Sequence, residues 1–268
     1  MKIRAGFDIG YECENETAML LVLSIHPGRR ADLLTEHTLT FDRPIEAWGY
    51  LDAFGNACSR ISAPAGLTTI STRFEIYDSG LPDPVPENAV QHDIKDLPDN
   101  VLVFLLGSRY CDTDRLADFA WKRFSATPFG WPRVQTIVDF VHAHMTFDYE
   151  KADPLRTAYG GFTDRIGVCR DFAHLAIALC RCMNIPARYC TGYLGDIGVP
   201  KDPHPMDFSA WFEVYLSGRW YTVDARHNTP RIGRILMATG RDATDVALST
   251  AFAPALLKRF EVVTEELA

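Results

Sequence analysis

The chain has 268 residues, 47% of them hydrophobic and 23% charged, with a net charge of −8 from 27 basic and 35 acidic side chains. That length can bury one large domain or two smaller ones. The acidic excess is spread without a basic block, which argues against nucleic acid or an anionic membrane as partner, because neutralising phosphates takes clustered Lys and Arg. The cysteines are Cys13, Cys58, Cys111, Cys169, Cys180, Cys182 and Cys190. Their odd number and the lack of any Cys-x-x-Cys point to reduced thiols, most of them small buried hydrophobes. No charged segment followed by a cleavable apolar run opens the chain, and residues 19–25 are too short to span a bilayer. A cytoplasmic location is therefore the default expectation. No metal-ligand set, dinucleotide fingerprint or phosphate loop is visible, so neither metal nor cofactor is expected.

Residues 1 to about 77 read as β structure. The apolar run 19–25 is a buried-strand candidate, 36–41 and 45–51 follow, Asp52-Ala53-Phe54-Gly55-Asn56 is turn chemistry, and 58–61 and 67–77 continue as strands. Short strands at this spacing suggest a small β-sandwich over 1–80. Pro82, Pro84, Pro86 and Pro98 mark residues 81–98 as an extended linker over a surface. Residues 99–268 form the second expected unit. Helices are expected over 114–124 and over 133–145, the latter started by Pro132. His142 and His144 are two apart and so point to different sides of that helix, as plain helix residues. The stretch 147–161 reads as irregular. An apolar helix follows from Cys169 to Met183, then a strand over 187–193, a Gly/Pro-rich loop over 195–206 and a hairpin of 209–216 with 219–224 around Ser217-Gly218. Further strands are expected near 232–237, 247–252 and 257–264.

Gly167-Val168-Cys169-Arg170-Asp171-Phe172-Ala173-His174 holds the main chemical signal. A glycine turn delivers Cys169 to the first turn of a helix, where free N–H groups and the helix dipole favour a thiolate. Asp171, two residues on, suits the same dipole. The hairpin supplies a facing surface. With Ser217-Gly218 as a two-residue loop, Leu216 faces Arg219, Tyr215 faces Trp220, and Trp211 faces Asp224. Positions 209 and 224 are then diagonal neighbours on one face, about 7–8 Å apart. A histidine at 209 would reach Asp224 with one ring nitrogen and offer the other to a thiolate, as in a Cys-His-Asp triad.

Three segments, Gly-Val-Cys-Arg-Asp-Phe-Ala-His at 167–174, Asn-Ile-Pro-Ala-Arg-Tyr at 184–189, and Ala-Trp-Phe-Glu-Val-Tyr with Trp-Tyr-Thr-Val-Asp over 210–224, resemble bacterial transglutaminase-like proteins. The resemblance covers roughly 100 to 268, and the β region before it looks like the β domain that often precedes that core. It implies an α+β fold, a papain-like core of helices packed on an antiparallel sheet behind a small β-sandwich. It also implies that Cys169 matches the nucleophile and Asp224 the third triad member. The departure is at position 209, where the family's motif has histidine before Ala-Trp and this chain has Ser209. A serine hydroxyl cannot take and hold a proton near neutral pH.

Two histidines are candidates for a substitute base. His227 follows Asp224 by three residues and would return to the site if the chain turns after Asp224. His204 lies in the loop before Ser209 and could fold over it. His174 is five residues along the helix from Cys169, which turns it away from the thiol. Trp211, on the triad face, is a candidate for lining a substrate groove. Two functions follow. In one, Cys169 forms a thioester with a peptide or protein amide substrate and passes the acyl group to water or an amine. In the other, the chain is a catalytically silent member of the fold that binds a protein or peptide through the same cleft.

Overall fold

The structure, a computed structural model, describes residues 1–267. Its first strands are β1 (Lys2–Cys13), β2 (Thr17–Leu21), β3 (Thr40–Phe41), β4 (Trp48–Leu51), β5 (Ala57–Ala63) and β6 (Gly66–Tyr77). In β1 the residues Ile3, Ala5, Phe7 and Ile9 are buried on one face while Lys2, Arg4 and Glu12 are exposed, the period of two that a half-buried strand requires. Polar Asp8 and two glycines blunt that signal in sequence, so this long strand does not stand out there. The run 19–25 forms a shorter strand than its length suggests, and of 36–41 only Thr40 and Phe41 pair.

These strands build two antiparallel sheets. The side chains of Phe7, Met19, Leu21, Ile61, Ile70 and Phe74 from both sheets fill one core. The last strands of the chain, β13 and β14, join the same sheets and not the second half. Ser249–Ala251 pairs with β2, and Ala255–Leu267 pairs with β1 along its length. The expected assignment of everything from 99 to 268 to one unit is corrected here, because β1 gains its second neighbour from β14, which also gives Val262 to the sandwich core.

Between these strands lie α1 (Asp99–Leu102), α2 (Thr113–Phe124), α3 (Trp131–His144), β7 (Thr146–Phe147), α4 (Ala158–Asp164), β8 (Ile166–Gly167), α5 (Cys169–Cys182), β9 (Ala187–Leu194), β10 (Ser209–Leu216), β11 (Arg219–Val223) and β12 (Arg234–Gly240). The short α4 lies partly in the stretch that reads as irregular. Strands β9 to β12 form a sheet in the order β11-β10-β9-β12. Ala210, Phe212, Val214 and Leu216 of β10 face α5 and share a core with Phe172, Leu175, Ala176 and Leu179. Tyr193, Ile235 and Met237 pack instead into the sandwich core. The sheet is thus covered by α5 and its neighbouring helices on one side and meets the β-sandwich core through β9 and β12.

The hairpin has the register its loop dictates: Leu216 faces Arg219, Tyr215 faces Trp220 and Phe212 faces Val223. Ser217 (φ 47°) and Gly218 (φ 78°) both take the left-handed conformation that matches strand twist in a two-residue turn. The proline-rich segment runs over this surface with a single 3-10 turn, Ile94–Asp96, as its regular structure. It exchanges hydrogen bonds with the turn, Val90 N–H to Ser217 Oγ at 2.8 Å and Ser217 N–H to the Val90 carbonyl at 2.9 Å. Asp83 accepts from Arg231 N–H and Arg234 Nε at 3.0 and 2.8 Å.

A buried amide helps to join the sandwich to the central sheet. Asn56 donates Nδ2–H to the Thr239 carbonyl and to Asp52 Oδ2, each at 2.8 Å, and its Oδ1 accepts from Thr239 N–H at 2.8 Å. Removing it would orphan both backbone groups of Thr239 in a fully buried setting. Asn56→Ala is expected to lower stability by about 1–3 kcal/mol, read from urea denaturation with an unchanged slope; an unaltered midpoint would show that the clip contributes nothing.

Candidate active site

The nucleophile position is built by the entry into α5. A Cβ on Gly167 would come within 2.6 Å of Asp171 Oδ2, so only glycine lets that buried carboxylate fold back under the turn. Asp171 accepts from Val168 N–H at 3.0 Å and from Arg156 and Arg170 at 3.2 Å each. Cys169 thereby becomes the first residue of the helix. It is the one cysteine that is not buried.

The bias toward thiolate expected at the helix start is opposed by the surroundings of the sulfur. Burial of the sulfur pushes the Cys169 thiol up to about 11, the Arg226 guanidinium and a hydrogen bond from the Ala210 backbone act in the opposite direction, and Asp207 and Asp224 add to the rise. With burial the largest of these effects, the protonated thiol is the favoured form at neutral pH. Any nucleophilic role requires a base.

Asp224 sits one residue beyond β11 and is 8% exposed. Its carboxylate takes four donors. Oδ1 accepts from the N–H groups of Arg226 and His227 at 3.0 Å each, and Oδ2 accepts from His227 Nδ1 and Arg234 Nη2 at 2.8 Å each. Burial alone would raise this carboxyl, but Arg234 and the His227 contacts outweigh it and hold it well below the usual carboxylate range. The backbone turns tightly after Asp224, with Asn228 N–H donating to the Asp224 carbonyl at 2.9 Å. That turn brings His227 back to the carboxylate. With Nδ1–H given to Asp224, Nε2 is left as an acceptor, and it has no hydrogen-bond partner among the described residues. The ring is 23% exposed and borders a cavity of about 560 Å³.

Ser209 lines the same cavity but forms no hydrogen bond with Asp224, whose oxygens take their donors from Arg226, His227 and Arg234. The diagonal from 209 to 224 is therefore not used. His204 is held by a different acid from His227. It lines the cavity too, but its Nδ1 pairs with Asp202 Oδ1 at 2.7 Å, its side chain is 68% exposed, and it has no bond to Asp224. Trp211 is absent from the cavity lining. It is 2% exposed, with Arg234 stacked 5.0 Å from its ring, and its edge fills the space that a Cβ on Gly192 would need. His174 lies in the core, accepting from Ala243 N–H at 3.1 Å and stacked on Tyr110. Burial pushes it down to about 3, so it stays neutral there.

Four further residues shape the site and carry no motif that singles them out. Arg226 lies over the Phe147 ring at 3.6 Å and near Tyr149. Asp207 and Tyr149 line the cavity, and burial raises both. Arg234 anchors Asp224 from ten residues away in sequence. Among the described residues no group of three or more His, Cys, Asp or Glu side chains is placed to hold a metal ion. No helix among them is long and apolar enough to cross a membrane.

Because the Asp224 carboxyl is lowered in the folded state, its ionic contacts stabilise fully above its ordinary value of 3.8 and are lost as the pH falls through the lower folded value. Acid titration of stability should therefore be steeper below pH ~4 for the natural protein than for Asp224→Asn. Equal slopes would contradict the depressed carboxylate.

Comparisons with known proteins bear on the fold and the family. The profile of the transglutaminase-like superfamily matches residues 122–225, from the end of α2 through β11. A crystal structure from Cytophaga hutchinsonii, whose description proposes a cysteine protease, is 30% identical with a TM-score of 0.86, over 100% of this chain and 91% of that one. An uncharacterised protein of Mycobacterium leprae is 39% identical over 85 residues, a match that spans 30% of this chain and 30% of that protein. With the fold matched from end to end at that identity, the chain belongs to the transglutaminase-like superfamily.

Proposed function

We propose that the chain is a cysteine-dependent acyl-transfer enzyme acting on amide bonds, with a peptide or protein as the substrate, in which His227 supplies the base that Ser209 cannot. The observation that carries this reading is the 2.8 Å bond from His227 Nδ1 to Asp224 Oδ2, with Nε2 unpartnered on the cavity wall beside Ser209. An acid that orients a histidine through one ring nitrogen and leaves the other free is the arrangement that activates a nucleophile. The histidine here comes from the turn after β11 and not from the start of β10.

In this reading His227 Nε2 takes the proton from the Cys169 thiol, and the sulfur attacks the carbonyl carbon of the amide. The leaving amine takes its proton back from the imidazolium as the carbon–nitrogen bond breaks, and a thioester remains. Water or an amine, deprotonated by His227, then releases the acyl group. Arg226 favours the thiolate by its charge, and the thiol pushed up to about 11 explains why a base is needed at all. Ser209 forms part of the wall.

Turnover of an activated peptide ester or amide, with mass spectrometry of the acylated protein, tests this directly. Cys169→Ala should abolish acylation, His227→Ala should slow turnover by about 10²–10⁴-fold, and Ser209→Ala should change it only a few-fold. A His227→Ala protein as active as the natural one would overturn the base assignment. Failure of every donor to acylate Cys169 would leave peptide binding without chemistry as the reading.

A further inference from the structure

Strand β14 is the edge of the sandwich sheet ordered β14-β1-β6-β3, so every second residue turns its N–H and C=O away from β1. Five consecutive residues of this edge, Val262 to Glu266, line the cavity that Ser209 and His227 also border. Side chains alternate along a strand, so a cavity lying on one face would touch every second residue; contact with five in a row places it along the edge. Val262 and Thr264 are only 6% and 5% exposed, with Val262 packed in the sandwich core, and what they present to the cavity is main chain. The Thr264 carbonyl oxygen lies against Gly195, where a Cβ would come within 2.8 Å of it. Outside the ladder with β1, residues 262–266 make no backbone hydrogen bond among the described residues. Open edges are commonly blunted by charge, as Lys258, Arg259 and Glu261 do in the outer part of this strand. Val262, Val263 and Thr264 carry no charge, and they are where the edge enters the cavity.

We propose that β14 is a template for strand addition, on which an extended, cationic peptide segment lies along residues 262–266 as a further strand of the sandwich sheet. Main-chain hydrogen bonds to the open edge supply affinity, and the alternating side chains of the segment supply selectivity. The cationic character follows from the lining, which holds five carboxylates, Glu265 and Glu266 on the edge itself among them, against three Lys and Arg side chains. A second copy of the chain is the poorer occupant, because each copy carries a net charge of −8. The segment belongs to the peptide or protein substrate of the acyl-transfer reading above, on which this proposal rests for its ligand. A segment held there runs along the cavity whose wall carries Ser209 and His227. The return of the chain end to pair with β1 thereby acquires a role beyond closing the sandwich.

The probe is acetyl-Val-Lys-Val-Gln-Val-Lys-amide, with versions N-methylated at its odd or at its even residues and a version carrying glutamate for both lysines. Each is titrated against Cys169→Ala protein, so that no turnover competes with binding. One methylated version should lose affinity at least ~10-fold and the other at most ~3-fold, because only every second amide of an added strand faces the edge. Amide hydrogen exchange should slow within residues 262–266 when the peptide is added. The glutamate version should bind at least ~10-fold more weakly, and the Glu265→Gln, Glu266→Gln double variant should narrow that gap. Equal loss in the two methylated versions, or unchanged exchange over 262–266, would overturn the strand site, and equal binding of the glutamate version would overturn its cationic preference. Exchange at these amides that is slow in the free protein and quickens on dilution would also overturn it, by assigning the edge to a second copy. Acylation of Cys169 in the natural protein without protection of 262–266 rejects the strand site alone. Alternating sensitivity and protection in a protein that no donor acylates reject the acyl-transfer chemistry and leave the strand site standing.

Discussion

The Asp224 carboxylate is the interaction on which the site depends. Four donors converge on its two oxygens, two from the backbone of the turn it initiates, one from the His227 ring and one from Arg234. A buried carboxylate with this many donors is stable only as an anion, and as an anion it fixes whatever it touches. It ends β11, folds the chain back over residues 224–228 and sets which nitrogen of His227 carries the proton. Arg234 in turn is tied to Asp83 of the proline-rich segment at 2.8 Å, so that segment helps to hold the position of the acid.

Magnitudes decide what the sulfur can do alone. A shift of the Cys169 thiol from 9.0 to about 11 opposes the thiolate by about 3 kcal/mol. A helix N-terminus contributes about 0.3–1 kcal/mol at an exposed position. The dipole of α5 is therefore too small to ionise a sulfur surrounded by protein, even with Arg226 nearby. This makes the location of a base the central question of the site. In the proposed mechanism the oriented ring on Asp224 supplies that base without a histidine at position 209.

Much of this was legible in the sequence, in unequal measure. The helix at Cys169 and the hairpin register from Phe212 to Leu216 follow from local rules of period, turn type and glycine, and local rules govern them in the structure. The pairing of β14 with β1 is a contact across nearly the whole chain, and no local pattern encodes it. The same holds for Asn56 on Thr239 and Arg234 on Asp224. His227 lies between these extremes. Its spacing of three from Asp224 shows in the sequence, but a continued strand would have pointed it away. Only the turn, closed by the carboxylate accepting two backbone N–H groups, reverses that direction. His204 and Trp211 drew attention through position alone; the first is exposed and paired with Asp202, and the second is buried against Arg234.

A structure with an acyl-like group fixed on Cys169 by a peptide chloromethyl ketone tests the central claim most directly. The expected result is His227 Nε2 within about 3.5 Å of the sulfur or of the attached carbonyl group, with Nδ1 still on Asp224. An Nε2 turned to solvent, with another group in contact with the sulfur, would contradict the assignment of His227 as the base.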